Sequence, residues 1–373
     1  LRILSALLGT LAIPALFAFA RQVAGRRVAL SAALLLATFP MHLHYSRIAV
    51  FNVWDTFTYP ATLAALWWGM RHDEQGSWPF VLAALVAGFG QYPYTGSRLL
   101  PLLVGLFLVA LSLFEPDRLR GKVHGIFVMI LLFAVIAAPH YLYGFRHPDE
   151  FNARINQVGI LQSGWLAQEA AARGEGTLPV LWDQFRRALF GFGFFHDRSA
   201  SWGAGAPLTL PLLSIGLFFG LVVTLRRLSE PAVWLIHGWF WAVILAGGML
   251  TLSPPTSNRL VAATPVVCLL AAIGWNAAAV SLARARPRPE QRMTAPLLLA
   301  LFAGVIAFTG IRAHQRYLAS NRYGGTEALI ATLAAQELLT RPSDTTLVMV
   351  GAPRLYSDIS PLAFLTTGRG RTD

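Results

Sequence analysis

Charged residues are scarce in this sequence. They make up 13% of its 373 residues, about half of the roughly 25% that soluble domains carry. Hydrophobic residues reach 55% and the mean hydropathy is +0.54. These values exclude an ordinary water-soluble enzyme and a disordered chain. The composition therefore predicts a polytopic membrane protein.

Cysteine and lysine are almost absent. The single cysteine, Cys268, lies in an apolar run, so the chain cannot form an internal disulfide. Lys122 is the only lysine, and arginine supplies the rest of the 30 basic residues, against 18 acidic ones. In a soluble chain this excess would suggest nucleic acid. In a membrane protein it is first a topology signal, and we predict no nucleic-acid partner.

Long apolar runs recur along the sequence. A membrane-spanning helix needs about 20 mainly apolar residues. Ten runs in residues 1–312 approach that length and predict an all-α transmembrane bundle of about ten helices. They are Ile3–Ala20, Val28–His44, Val53–Met70, Trp78–Gln91, Leu99–Phe114, Val123–Tyr143, Pro207–Leu225, Pro231–Leu250, Leu260–Leu282 and Thr294–Ile311.

Basic residues are distributed unevenly between the connections of this bundle. Thirteen lie in one alternating set, whereas the short links of the other set hold only Arg47, Arg98 and Arg259. The positive-inside rule places the first set in the cytoplasm. We therefore predict a multi-pass protein of the plasma (inner) membrane whose polar clusters face outside. Leu1 then also lies outside, so we expect one further helix and one outer loop before it.

Two longer segments are predicted on the same outer face. Within residues 144–206, Leu178–Phe190 has apolar and charged residues at the spacing of an interfacial amphipathic helix. Residues 313–373 form a polar tail, in which Thr326–Thr340 is predicted to be a helix and Thr345–Val350 a strand. We expect this tail to be part of a small α/β module that is incomplete here.

The densest polar cluster is His42–Asp55, at the outer end of the second predicted helix and the start of the third. Ionisable groups at membrane depth are costly and usually face a cavity or a partner. Asn52 and Asp55 share a helical face because they are three residues apart, which makes them candidate catalytic residues. A pair with Arg47, or a helix cap, would explain Asp55 without a function. The two histidines of the cluster do not share a face, so no metal site is predicted.

A second cluster, Gln91–Arg98, is rich in aromatic residues. Tyr92 and Tyr94 can stack against a sugar or belong to the aromatic belt of the membrane interface. Arg98 stands at the start of an apolar helix, where its guanidinium suits a phosphate. The alternative is that Arg98 reaches out to lipid headgroups.

Arg259 ends a third outer cluster, Leu252–Arg259. Together with Arg47 and Arg98 it breaks the positive-inside trend. An anionic ligand that enters from the outer leaflet would explain all three arginines. The sequence has no glycine-rich phosphate loop, no HExxH, no GxSxG and no Walker pattern.

Four stretches carry a resemblance to a known family: Leu1–Thr10, Arg21–Arg27, Tyr45–Asp55 and Tyr92–Pro101. In this order they resemble the family 39-type glycosyltransferases. These are relatives of the dolichyl-phosphate-mannose protein mannosyltransferases and of the lipid A aminoarabinose transferase. The resemblance covers Leu1–Phe114 best and continues in the Pro254–Leu260 stretch.

The resemblance implies a GT-C fold in the bacterial cell envelope. The donor would be a sugar linked to polyprenyl phosphate, and the acceptor a protein, lipid or glycan on the outer face. The main catalytic base would lie in an outer loop before Leu1. A second acid of many relatives is replaced here by Asn52, and Asp55, one helical turn later, could substitute for it. No cofactor is assigned, and a divalent metal stays open.

The chemistry that the resemblance implies assigns roles to the outer residues. Cations must stabilise the departing phosphate, and the candidates are Arg98, Arg259 and Arg47. The candidates for binding the sugar or the acceptor are Tyr92, Tyr94 and His44. A prenyl chain would need a groove between helices that also contact membrane lipids, which the small residues of Ala83–Gly90 can provide.

Two alternatives remain at this stage. The chain could be a non-enzymatic transporter or lipid-glycan-binding protein, although it shows no internal repeat and its polar clusters lie at one face rather than the midplane. It could also be an inactive fragment of a transferase. The sugar, the acceptor and the lipid length are not determined by the sequence.

Overall fold

The computed structural model describes residues 2–72, 76–199, 202, 205–284, 288–320, 326–342, 345 and 365–366. Over these ranges the chain is a bundle of helices, and no β-sheet occurs in them. An isolated antiparallel bridge between Gly159 and Thr251 is the only extended pairing in the described part. The predicted all-α class is therefore confirmed.

The described residues form sixteen α-helices, numbered here in chain order. They are α1 Arg2–Ala24, α2 Arg26–Ala37, α3 Pro40–Arg47, α4 Trp54–Arg71, α5 Trp78–Phe89, α6 Leu99–Phe114, α7 Val123–Arg146, α8 Pro148–Val158, α9 Trp165–Arg173, α10 Thr177–Phe190, α11 Pro211–Leu225, α12 Pro231–Ala242, α13 Ser257–Leu260, α14 Thr264–Arg284, α15 Arg288–Ser320 and α16 Thr326–Thr340. Short 3₁₀ segments stand at Phe51–Val53, Thr95–Arg98, Pro116–Leu119 and Val261–Ala263, and a π-helical segment, Val243–Met249, continues α12.

All ten predicted apolar runs fall on helices, but the number of ten spans is not confirmed. Among the described residues, six helices are long and apolar enough to cross a membrane, and one bent pair would make a seventh. Helices α5 and α11 have only 12 and 15 residues. Helix α4 has 18 residues but is less apolar than the six, with Asp55 in its first turn and Arg71 in its last.

The second predicted span, Val28–His44, is not one straight helix. It consists of α2 and α3, which meet at an angle of 56°. Pro40 opens α3, and Phe39 before it has an extended backbone (φ −72°, ψ 118°), as residues before proline prefer. The side chains after the break therefore point in directions that a straight helix does not predict.

Helix α14 is largely buried and packs against α2, α11 and α15. Its contact with α11 is a close approach of backbones. A Cβ atom added at Gly220 would lie 1.9 Å from the carbonyl oxygen of Leu270, so only glycine fits there. Small residues at such interfaces are typical of packed membrane helices.

The predicted helices of the two outer segments are present. Helix α10 matches Leu178–Phe190, buries Val180 and leaves Trp182 64% exposed. Helix α16 coincides with the helix predicted at Thr326–Thr340. The predicted strand Thr345–Val350 lies outside the described residues except for Thr345, and the division into domains stays a prediction.

Candidate functional site

A cavity of about 290 Å³ lies where α4, the 95–98 segment, α8 and α13 meet. Asp55, Tyr94, Arg98 and Arg259 all line it, although they come from separate segments of the chain. The sequence placed these four residues at outer helix ends, and the structure brings them together.

Asp55 is completely buried at the start of α4. Its Oδ1 accepts a hydrogen bond from the Ser97 hydroxyl, and its Oδ2 has no partner among the described residues. The pair with Arg47 is not formed, because the Nη1 of Arg47 lies 3.5 Å from His314 Nε2 instead of on the carboxylate. Asp55 stands in the first turn of α4, where no side chain caps the helix and where a carboxylate is favoured by the helix dipole.

Gly96 allows the 95–98 segment to lie directly over this carboxylate. A Cβ atom at Gly96 would be 2.6 Å from Asp55 Oδ2, closer than real side chains approach. The Tyr59 hydroxyl donates to the Gly96 carbonyl at 3.0 Å. Helix α4 thus holds this segment at two points. These contacts fix the backbone position of Arg98, the last residue of the segment.

Arg98 is half-buried and held by α8. Its Nη2 donates to the Phe151 carbonyl at 3.0 Å and its Nη1 lies 3.5 Å from Asn152 Oδ1. The guanidinium carbon stands 3.5 Å from the centre of the Phe151 ring, a cation–π contact. The Nε of Arg98 is buried and has no partner in the described part of the chain.

Arg259 and Arg154 complete a set of three arginines on the cavity wall. Arg259 donates from Nη1 to the Leu252 carbonyl at 2.5 Å, and its buried Nε is unpartnered within the described ranges. Arg154, on α8, donates to Gln157 Oε1 at 2.7 Å. Arg154 was not predicted as a site residue, because it is one of six arginines in residues 144–206 and its local pattern does not distinguish it.

The charge of the cavity is positive on balance. Three guanidinium groups and one carboxylate line it. Across the described residues, none of these arginines lies within 4.0 Å of a carboxylate. Unneutralised guanidinium groups with free donors are the usual ligands of phosphate in proteins.

Tyr94 joins the two sides of the site. Its hydroxyl donates to the Asn258 carbonyl at 3.3 Å. Partial burial, and after it the negative charge of Asp55, raise the pKa of Tyr94 to about 12. The tyrosine therefore stays neutral at physiological pH and acts as a hydrogen-bond donor rather than as a base.

The cavity has a polar side and an apolar side. The apolar side comes from the π-helical segment and the residue after it, with Val243, Ala246 and Leu250. The bridge between Gly159 and Thr251 joins the segment that follows α8 to this side, and both of these residues also line the cavity. Such a cavity suits a ligand with an anionic group and an apolar portion.

Four candidates from the sequence do not line the cavity. Asn52 stands behind its wall, where its Nδ2 donates to the Asn258 carbonyl at 2.6 Å. Tyr92 is 46% exposed and its hydroxyl donates to the Ile136 carbonyl. The other two are Arg47 and His44.

His44 occupies an aromatic cluster instead. Its ring lies 5.2 Å from that of Tyr45, 5.1 Å from Trp202 and 5.4 Å from Tyr317, measured between centroids. Helix α3 follows the bend after α2, and its residue His44 faces Tyr317 near the C-terminal end of α15.

The described residues do not fit a divalent cation at this site. They contain no group of three His, Cys, Asp or Glu side chains that could hold one. Asp55 is the one acidic side chain on the described cavity wall, and it shares that wall with three arginines. Hard cations prefer several oxygen ligands.

Known proteins resemble this chain in sequence over part of its length and in fold over most of it. Residues 1–143 match the family model described as dolichyl-phosphate-mannose-protein mannosyltransferase. No curated protein sequence matches. The matched region contains Asp55, Tyr94 and Arg98 but not Arg259.

Solved structures of two kinds of protein are similar. ArnT from Cupriavidus metallidurans in the apo state has a TM-score of 0.55 at 17% identity, over 98% of this chain and 69% of ArnT. The same protein bound to undecaprenyl phosphate gives 0.56 at 16%, over 98% and 70%. The Archaeoglobus fulgidus oligosaccharyltransferase complex with zinc and sulfate gives 0.53 at 16%, over 91% and 43%. The expected GT-C fold is thereby confirmed.

Proposed function

We propose that this protein is a membrane glycosyltransferase that moves a sugar from a polyprenyl-phosphate donor to a protein, lipid or glycan acceptor. The observation that carries the proposal is the cavity shared by Asp55 and the arginines 98, 154 and 259. The match to mannosyltransferases and the likeness to a structure of ArnT bound to undecaprenyl phosphate support it.

The proposed reaction breaks one bond and forms one. An acceptor atom bonds to the anomeric carbon of the sugar, and the bond between that carbon and the phosphate oxygen breaks. The electron pair leaves with polyprenyl phosphate, whose charge Arg98 and Arg259 stabilise. The acceptor proton goes to a base, for which Asp55 is the candidate among the described residues.

The apolar side of the cavity would receive the first part of the prenyl chain. The π-helical segment supplies that side, and the remaining chain would lie among membrane lipids. Asn52 acts indirectly in this scheme, because its hydrogen bond to the Asn258 carbonyl supports the residue next to Arg259.

The purified full-length protein tests the proposal directly. We expect it to release undecaprenyl phosphate from undecaprenyl-phosphate-linked sugars only when an acceptor is present, with one sugar preferred in a panel of hexoses and pentoses. Chromatography of the lipid products measures this. A transporter or lipid-glycan-binding protein would bind the donor and return it intact, which would contradict the proposal.

We further propose that the cavity opens on the outer face of the inner membrane. The thirteen basic residues of the inner connections, against three in the outer links, support this orientation. We expect Ser77→Cys to react with a membrane-impermeant thiol reagent only after the cells are permeabilised, and Glu175→Cys to react in intact cells. Cys268 is fully buried and should stay silent. Labelling of Ser77→Cys in intact cells would contradict the proposed orientation.

A further inference from the structure

A buried carboxylate outside the cavity is tied to the backbone next to it. Asp197 lies between α10 and α11 and is only 7% exposed. Its Oδ1 accepts the N–H of Ser199 at 3.0 Å and the N–H of Ser257, 60 residues further along the chain, at 2.9 Å. Ser257 is the first residue of α13, so Asp197 satisfies an N–H that a helix start leaves open.

The side chain of Ser257 is fixed as well. Its hydroxyl lies 2.8 Å from the Ser199 hydroxyl and 2.9 Å from that of Tyr45, and the residue is fully buried. The Arg198 N–H donates to the Pro255 carbonyl at 3.0 Å. The 197–199 segment therefore holds the start of α13 through several hydrogen bonds rather than through a single contact.

The opposite side of the same short helix faces the cavity. The Asn258 carbonyl accepts from Tyr94 and Asn52, and the next residue, Arg259, lines the cavity. The peptide from Ser257 to Arg259 is thus held between Asp197 on one side and cavity residues on the other. Two peptide units separate the residue that Asp197 holds, Ser257, from Arg259.

We propose that Asp197 is a positioning residue for the anionic group of the donor, which acts by fixing the backbone that carries Arg259. This inference rests on the proposed function, because it requires a phosphate in the cavity. Asp183 provides a contrast. Among the described residues its partners are the side chains of Arg173, Arg186 and Arg187, and it does not line the cavity.

The binding of undecaprenyl phosphate to the full-length protein tests this inference. We expect Asp197→Ala to weaken the affinity about tenfold, the scale of a lost charge-assisted hydrogen bond. Asp197→Asn should recover most of it, because the amide oxygen can still accept both N–H groups. Asp183→Ala, the matched control, should bind like wild type. In an Arg259→Ala background, Asp197→Ala should cause no additional loss, since both changes act through one group.

The outcomes are distinct. Unchanged affinity in Asp197→Ala overturns the inference, and so does a tenfold loss that persists when Arg259 is already alanine. Should Asp197→Ala fail to fold, Ser199→Ala takes its place in the same cycle, with an expected loss of about threefold that disappears in the Arg259→Ala background. If the wild-type protein does not bind undecaprenyl phosphate, the proposed function fails together with the inference. If it binds and the variants bind equally, only the inference fails.

Discussion

Replacing Asp55 by Asn is expected to lower kcat for sugar transfer by about 10²–10⁴-fold, the usual contribution of a general base. Asparagine keeps the shape of the side chain, and its carbonyl can still accept the Ser97 hydrogen bond. It cannot accept a proton from the acceptor. Asp55 is the one acidic side chain on the described cavity wall, so no other described carboxylate there can substitute for it. Initial rates at saturating donor measure the change.

Two further variants show whether the loss at Asp55 is chemical. Ser97→Ala removes the hydrogen bond and keeps the carboxylate, so we expect a loss of less than about tenfold. Asp117→Asn, on an exposed 3₁₀ segment that does not line the cavity, should leave kcat unchanged. Affinity for undecaprenyl phosphate should be retained in Asp55→Asn. Wild-type turnover in Asp55→Asn would show that the proton goes elsewhere.

Arg98→Ala should produce the second large effect, a fall in kcat/KM for the donor of about ten- to a hundredfold or more. A charge-assisted contact to a phosphate is worth about 1.5–3 kcal/mol. The Phe151 carbonyl and ring already hold the guanidinium in place, so little side-chain entropy is lost when it binds. Steady-state rates over a range of donor concentrations, at matched protein amounts, measure the effect.

Substitutions that keep part of the interaction should rank below Arg98→Ala. Arg98→Lys should recover activity only in part, because an ammonium cannot copy the bidentate fork. Tyr94→Phe removes one neutral hydrogen bond, worth about 1 kcal/mol. Arg146→Ala, an exposed arginine at the end of α7, is the control and should be unchanged. If Arg98 only reaches lipid headgroups, Arg98→Lys will turn over normally and Arg98→Ala will lose little.

The core of the candidate site could be predicted because of a property that its residues share. Asp55, Arg98 and Arg259 are ionisable groups beside apolar runs, where an uncompensated charge is costly. Such groups usually face a cavity or a partner, and residues on neighbouring helix ends can share one cavity. Arg154 escaped prediction for the opposite reason. Helix α8 is exposed over much of its surface, where charge costs little and an arginine carries no signal.

Two predicted candidates, Arg47 and His44, lie away from the cavity for a different reason. Arg47 and His44 follow the break between α2 and α3, and a hydropathy window treats Val28–His44 as one straight helix. Pro40 was a visible signal for the break, since the residue before a proline avoids helical backbone. The angle of 56° depends on how α3 packs against α1 and α15, and no local pattern encodes it.

The number of membrane-spanning helices could not be predicted from hydropathy alone. Apolar runs located the helices well, but they did not show that α4 is less apolar than the spanning helices or that α5 and α11 have only 12 and 15 residues. A helix that is surrounded by other helices can be polar or short, because its neighbours supply hydrogen-bond partners that lipid cannot supply. Hydropathy alone does not show which helices are surrounded.

The π-helical segment Val243–Met249 makes this part of the chain intolerant of a change in length. A π turn closes one residue later than an α turn, so the segment is equivalent to an α-helix with one extra residue. Deleting one residue there would restore α geometry and rotate α12 against the cavity wall by about 100°. Gly247, whose added Cβ would lie 2.9 Å from the Arg259 carbonyl oxygen, would leave its place. Homologous chains that keep the cavity should therefore align here without a gap, even where every side chain differs.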